Sequence, residues 1–214
     1  DFPLTPETGV NSQIGFRTSA VKGMSIDLAL FHNRIKDTLI RENDPDPFGD
    51  GIFINAADSE ITGVDLGARI DSYAFFESNY NLFAEVALNY TDAEFSDGPL
   101  DGNQVPEIPK EAGSLTFGAD HSAGWHLSAT VSHLGAFYSD IQNTRDITAD
   151  GEAGEVPSRT LWSARASYVL PTPTETTLWL QGRNLTDKLY ITDVQDGIRP
   201  GAERTVVGGV TVRF

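Results

Sequence analysis

Apolar and polar residues alternate one by one along most of this chain, in runs of about ten. In NYNLFAEVALNYT, Tyr80, Leu82, Ala84, Val86, Leu88 and Tyr90 form one series, and Asn79, Asn81, Phe83, Glu85, Ala87, Asn89 and Thr91 form the other. The same split divides GMSIDLALF, ITGVDLGARID, WHLSATVSH, TLWSARASYVL and the last segment, RTVVGGVTVRF. A two-residue period belongs to a β-strand whose two faces meet different surroundings, and helical periodicity is nearly absent. The pattern predicts nine strands, near residues 10–19, 24–40, 59–71, 78–92, 110–120, 125–138, 158–170, 176–186 and 200–214.

The connections between them alternate too. AVKG, the stretch near SYAFFES, HSAG and PTPTE are tight, whereas IRENDPDPFGDG, DAEFSDGPLDGNQVPEIP, SDIQNTRDITADGEAGEVP and TDKLYITDVQDGIRPG are long and polar. Two architectures give one apolar and one wet face: a soluble β-sandwich and a membrane barrel. Sandwich strands average about 5–6 residues, but these approach the ~9–11 that cross a bilayer at a tilt. Short turns at one end and long loops at the other are also a barrel feature. Tyr80 and Tyr90 lie ten residues apart on the apolar series. At ~3.3 Å per residue this is about 33 Å of strand, or roughly 25 Å of height at ~40° tilt, the span between the aromatic girdles of a membrane barrel. The barrel is the expectation, and the sandwich is the alternative. The small residues Ala84, Ala129, Ala164 and Ala166 on the apolar series fit the barrel least well.

Composition narrows the function. A net charge of −16 with scattered Lys and Arg excludes a nucleic-acid-backbone binder. Cysteine is absent, which removes thiolate chemistry and cysteine-based metal sites. No stretch has the ~18 uncharged apolar residues of a membrane-spanning helix. An odd count of nine antiparallel strands leaves the first and last pointing the same way, so they cannot close on each other. Single-chain bacterial barrels have an even number, and the expectation is therefore the C-terminal part of a larger barrel, occupying residues 1–214 as one unit.

Five segments resemble TonB-dependent outer-membrane receptors. They are LTPETGVNSQIGFR, FINAADSEITGVDLGA, GNQVPEIPKEAGSLTFGAD, GRNLTDKLYITD and PGAERTVVGGVTVRF, in the family's order, with Asp65 where Glu is usual and Glu111 where His is usual. The resemblance implies an all-β, antiparallel transmembrane β-barrel of 22 strands, of which these are the last nine. It implies a plug domain and a TonB box upstream of Asp1, and a location in the bacterial outer membrane. It implies TonB-dependent uptake of a scarce solute, with a ferric siderophore as the leading ligand class. Outer-membrane lipid, the TonB energy-coupling complex and the barrel-assembly machinery are the implied partners. That machinery would read the final strand through Val210, Val212 and Phe214. A passive porin-like or adhesin barrel and a secreted β-sandwich binding module are the alternatives.

Candidate chemistry is sparse. No Ser-His-Asp order or phosphate loop is present, and an enzyme is not expected. Asp44, Asp46 and Asp50 suggest a calcium loop, but Pro45, Pro47 and Phe48 break the required spacing. His121 and His126 flank one tight turn and lack a third ligand of defined spacing. Neither a cofactor nor a metal site is expected. Asp65, Arg69 and Glu85 are expected on the wet face of two paired strands, facing the lumen and its plug. With the turn centred near Ala74 and Phe75, Glu85 falls across from Asp65 and diagonal to Arg69. Arg165, Gln181 and Arg183 have the same expected role on a later pair, and Trp179 shares their face without an evident reason.

Overall fold

The computed structural model describes residues 4–42, 52–194 and 197–213. The acidic run at Asp44, Asp46 and Asp50, and the terminal Phe214, lie outside them. Nine strands form one sheet in chain order: β1 (Thr8–Thr18), β2 (Met24–Lys36), β3 (Ser59–Asp71), β4 (Tyr80–Phe95), β5 (Glu111–His121), β6 (Trp125–Leu134), β7 (Arg159–Leu170), β8 (Glu175–Arg183) and β9 (Thr205–Arg213). Every neighbouring pair is antiparallel. The strands run from 9 to 16 residues, β4 being the longest.

Four strands are shorter than alternation suggests, three ending early and one starting late. The apolar rhythm of residues 24–40 continues past Lys36, but Asp37 takes a left-handed φ of 56° and turns the chain out of the sheet. Leu39–Glu42 then pairs with Ile52–Asn55 as a separate ribbon. Likewise β6 ends at Leu134, and Phe137–Tyr138 pairs with Glu155–Val156. The eighth strand ends at Arg183, before Asn184 at φ 47°. The ninth begins at Thr205, after Arg199–Pro200 has paired with Ile191–Asp193. Alternation records that a segment is extended and two-faced. It does not record which partner the segment pairs with.

The registers place all the apolar series on one face. One row runs Leu28, Leu66, Leu88, Gly113, His133, and another runs Ala84, Phe117, Ala129, Ala164, Gly182, Val206. Among the described residues no second layer packs on them. Ile14 is 71 % exposed, Leu82 59 % and Val210 61 %. Aliphatic rows left bare in this way exclude the sandwich, whose rows would meet across two sheets. Near the tight turns Tyr80 contacts His121 and Trp125 stacks on Tyr168, both at 4.3 Å between ring centres. These four form one cross-strand row over β4 to β7, as an interfacial girdle does.

The buried apolar residues lie mostly at the long-loop end. Ala93, Phe95, Val105 and Ile141 make one cluster, and Phe137, Val156 and Val194 another. The sheet is held by its ladders, and its loops carry the hydrophobic core.

On the polar face, three aromatic rings lie over glycines directly opposite them: Phe31 over Gly63, Phe83 over Gly118 and Trp179 over Gly209. A Cβ at Gly118 would stand 2.2 Å from Phe83 Cζ and 2.8 Å from the Leu127 carbonyl oxygen. The glycine lets the ring lie flat on the wall. Gly118→Val should therefore destabilise the intact protein by about 1–3 kcal/mol, read as a lower temperature for conversion of the folded to the unfolded band on gels. Ala87→Val, on the open part of the same wall, should leave that temperature unchanged.

Candidate functional site

Two regions carry the polar chemistry: the polar face of the sheet, its wall, and the loop layer at one end of it. On the wall, β3 and β4 pair so that Arg69 stands directly opposite Glu85, and Asp65 opposite Asn89. This corrects the expected pairing of Glu85 with Asp65. The connection runs from Ser72 to Asn79 and opens with a short 3-10 turn at Ser72–Ala74. Its midpoint therefore falls later than Ala74 and Phe75. The offset is four residues, an even number, so all three side chains keep the expected face.

Arg69 Nη1 donates to Glu85 Oε2 at 3.1 Å, while its Nε and Nη2 grip both Asp71 carboxylate oxygens at 2.9 Å. Asn81 Nδ2 adds a bond to Asp71 Oδ1 at 2.8 Å. The guanidinium lies 4.1 Å from the Phe83 ring centre, and His126 stacks against the same ring at 5.9 Å. His126 Nδ1 in turn meets Asp120 Oδ1 at 2.5 Å. One charge network thus crosses β3 to β6, with buried Phe83 as its apolar centre. The expectation identified the charges and missed Phe83, which reads in the sequence as an apolar residue on the wrong side. Asp65 takes a separate bond from Asn89 Nδ2 at 2.8 Å.

Arg165 and Gln181 are opposite one another on β7 and β8, and Arg183 faces Thr205 of β9. Trp179 now has a reason for its side: Arg165 lies 5.0 Å from its ring centre, and the ring covers Gly209. His121 and His126 are on opposite faces, one against Tyr80 and the other against Asp120, so they make no pair. Among the described residues no group of three His, Asp or Glu is placed to hold a metal ion.

The loop layer is tied together across its segments. Gln104 N donates to Asn143 Oδ1 at 2.6 Å, Asn143 Nδ2 returns a bond to the Gln104 carbonyl at 3.0 Å, and Asn103 Nδ2 reaches the Ile141 carbonyl at 2.9 Å. Ser96 N bonds the Asp58 carbonyl at 2.9 Å, and Asp58 N bonds Asp97 Oδ1 at 2.8 Å. Phe95 of β4 packs there with Ile40 and Ile54 of the first long connection, Leu100 and Val105 of the second and Ile141 of the third. Val156 and Val194 join the third connection to the fourth. At the base of the fourth, the Asn184 side chain bonds Lys188 N, the Lys188 carbonyl and the Ala202 carbonyl. Loops with a shared core form a shaped surface instead of independent flaps.

The connections that supply it are acidic in sequence. The four long connections, residues 37–58, 96–110, 135–158 and 184–204, contain 18 carboxylates and 6 cations, or −12 of the chain's −16. Lys110 Nζ bonds Asp92 at 2.6 Å and Glu94 at 3.3 Å, and the Asp92 bond above all raises its pKa. The Thr148 hydroxyl, bonded at 2.5 Å, and the Glu152 amide hold the Asp150 carboxyl below its usual value.

This bare-faced sheet with polar loops at one end matches known proteins. The barrel family described as TonB dependent receptor-like, beta-barrel, matches residues 1–185. The chain belongs to that TonB-dependent receptor family. Among solved structures, the ferric citrate transporter FecA in unliganded form superposes with a TM-score of 0.77 at 25 % identity, over 97 % of this chain and 32 % of that one. The siderophore receptor PiuA from Acinetobacter baumannii gives 0.69 at 21 % identity, over 94 % and 28 %. The copper transporter OprC gives 0.72 at 16 %, over 98 % and 32 %. The chain spans about a third of each of these proteins. No curated protein matches the chain significantly.

Asn143 was not singled out by the sequence, and the hint of its role is slight: an Asn in a polar loop, here at φ 55°. Asn143→Gly keeps that backbone conformation accessible and removes the bridge to Gln104. Hydrogen exchange of the Gln104 amide in the whole receptor should speed up by one to two orders of magnitude, for a local loss of about 1–3 kcal/mol. Exchange in the middle of β5 should not change.

Proposed function

We propose that the chain is the C-terminal barrel portion of a receptor in the bacterial outer membrane that takes up a scarce solute with energy from TonB. The observation that carries this reading is the bare apolar face of a single long-stranded sheet, opposite a charged wall, in a chain of the TonB-dependent receptor family. Hydrocarbon would cover the apolar face, which no second layer covers among the described residues. The other face would line a lumen holding a plug supplied by an upstream part of the same protein. Asp65, Arg69, Glu85, Arg165, Gln181 and Arg183 would meet that plug or the water around it. The free edges of β1 and β9 would take further strands, since unpaired backbone groups in hydrocarbon cost several kcal/mol each. Val210 and Val212, on the outer row of β9, would with Phe214 form the segment recognised during barrel assembly.

The cargo proposed is a ferric siderophore. Support comes from the named cargoes of two similar structures, ferric citrate for FecA and a siderophore for PiuA, while OprC keeps other metal complexes in view. The joined loop layer would form one wall of the ligand's entrance. Its carboxylates do not suit a polyanionic complex unless cations elsewhere in the receptor balance them.

Deletion of the gene should abolish accumulation of radioactive iron supplied as the cognate siderophore complex, and removal of TonB should have the same effect. Unchanged iron uptake would remove the siderophore reading. Uptake that continues without TonB would point to a passive pore.

A further inference from the structure

Among the connections at the tight-turn end, residues 19–23, 122–124 and 171–174 are three to five residues long, but Ser72–Asn79 has eight. The extra length is largely aromatic. Tyr73 is 55 % exposed, Phe75 51 % and Phe76 70 %, and Val21 of the adjacent turn is exposed as well. Exposed rings in succession are unusual on a surface that meets only water.

The segment that displays them is firmly held. Phe75 N and Phe76 N both bond the Ser72 carbonyl, Tyr73 N bonds Asn81 Oδ1 and Leu82 N bonds Ser72 Oγ. Neighbouring turns grip it from both sides: Asp71 N bonds the Gly23 carbonyl, and Ser122 N bonds the Asn79 carbonyl. Ala74 sits so close to Gly23 that a Cβ there would lie 2.2 Å from its own. The rings are therefore presented by a fixed scaffold, and along the chain they lie between Ile70 and Tyr80, the exposed residues that end the outer apolar series on β3 and begin it on β4.

We infer that the Ser72–Asn79 turn is an interfacial anchor, with Tyr73, Phe75 and Phe76 seated in the phospholipid headgroup layer of the inner leaflet. Continuity with the lipid-facing sheet is the argument for lipid as the occupant. Short turns face the periplasm in these barrels, so this end meets the inner leaflet. Aromatic rings favour that boundary because one part of the layer is apolar and the other wet. The two charges in these turns, Lys22 and Glu77, are of opposite sign and suit a zwitterionic headgroup layer. The inference rests on the membrane reading above, and the test separates the two.

In the full-length receptor, reconstituted in phosphatidylethanolamine and phosphatidylglycerol vesicles, Phe76→Cys is labelled with a nitroxide, with Phe75→Cys as a second site. Leu82→Cys reports the lipid face and Ala123→Cys an ordinary short turn. Collision rates with oxygen and with a water-soluble nickel chelate are then compared. The anchor predicts nickel collisions at positions 75 and 76 several-fold below those at 123, with oxygen collisions near those at 82. Nickel access equal to that at 123 would overturn the anchor and leave the membrane reading intact. Exclusion of both reagents would also overturn it, by placing the turn against protein. Nickel access at 82 would refute the membrane reading itself.

Discussion

Backbone N–H and C=O groups in hydrocarbon have no water to bond. A chain that crosses a membrane by strands must therefore satisfy each group through its neighbours. This requirement explains the architecture better than any side-chain contact does. The strands, of 9 to 16 residues, are long enough to cross a bilayer at a tilt, and each pairs with the next, through a tight turn at one end of the sheet and a long loop at the other. A sheet that owes its integrity to ladders needs no packed interior. Its buried apolar residues can be few, and here they lie mainly in the loops.

Much of the sheet was legible because alternation is a physical consequence of its two surroundings. All nine strands, both faces and the short-long order of connections follow from it. The ends of strands were less legible. Asp37 and Asn184 leave the sheet through left-handed backbone, and such residues are common in polar loops without ending a strand. The pairing of Arg69 with Glu85 was misplaced because register depends on turn geometry, and the Ser72–Asn79 connection is longer than its neighbours. The face survived that error because the offset was even.

The candidate site was legible in charge and illegible in its apolar parts. Arg69, Glu85, Arg165 and Gln181 could be placed on one polar face of the sheet by parity alone. Phe83 and Trp179 looked like exceptions to the pattern, yet each carries an arginine and covers a glycine on the adjoining strand. The rings keep the wall thin and hold the guanidinium groups in position. The loop layer was the least legible part, since Asn103, Gln104 and Asn143 come together across long sequence separations. Nothing local in SDIQNT announces such a tie.

The central claim is that the two series of residues on one strand meet two different solvents. Single cysteines placed at each position from Tyr80 to Tyr90 in the reconstituted receptor, each probed with a membrane-impermeant thiol reagent and with a lipid-phase quencher, test it directly. The account predicts a strict two-residue oscillation: quenching at the even positions, and no quenching at the odd ones. A uniform response along the strand, or even positions shielded from lipid and water alike, would contradict it.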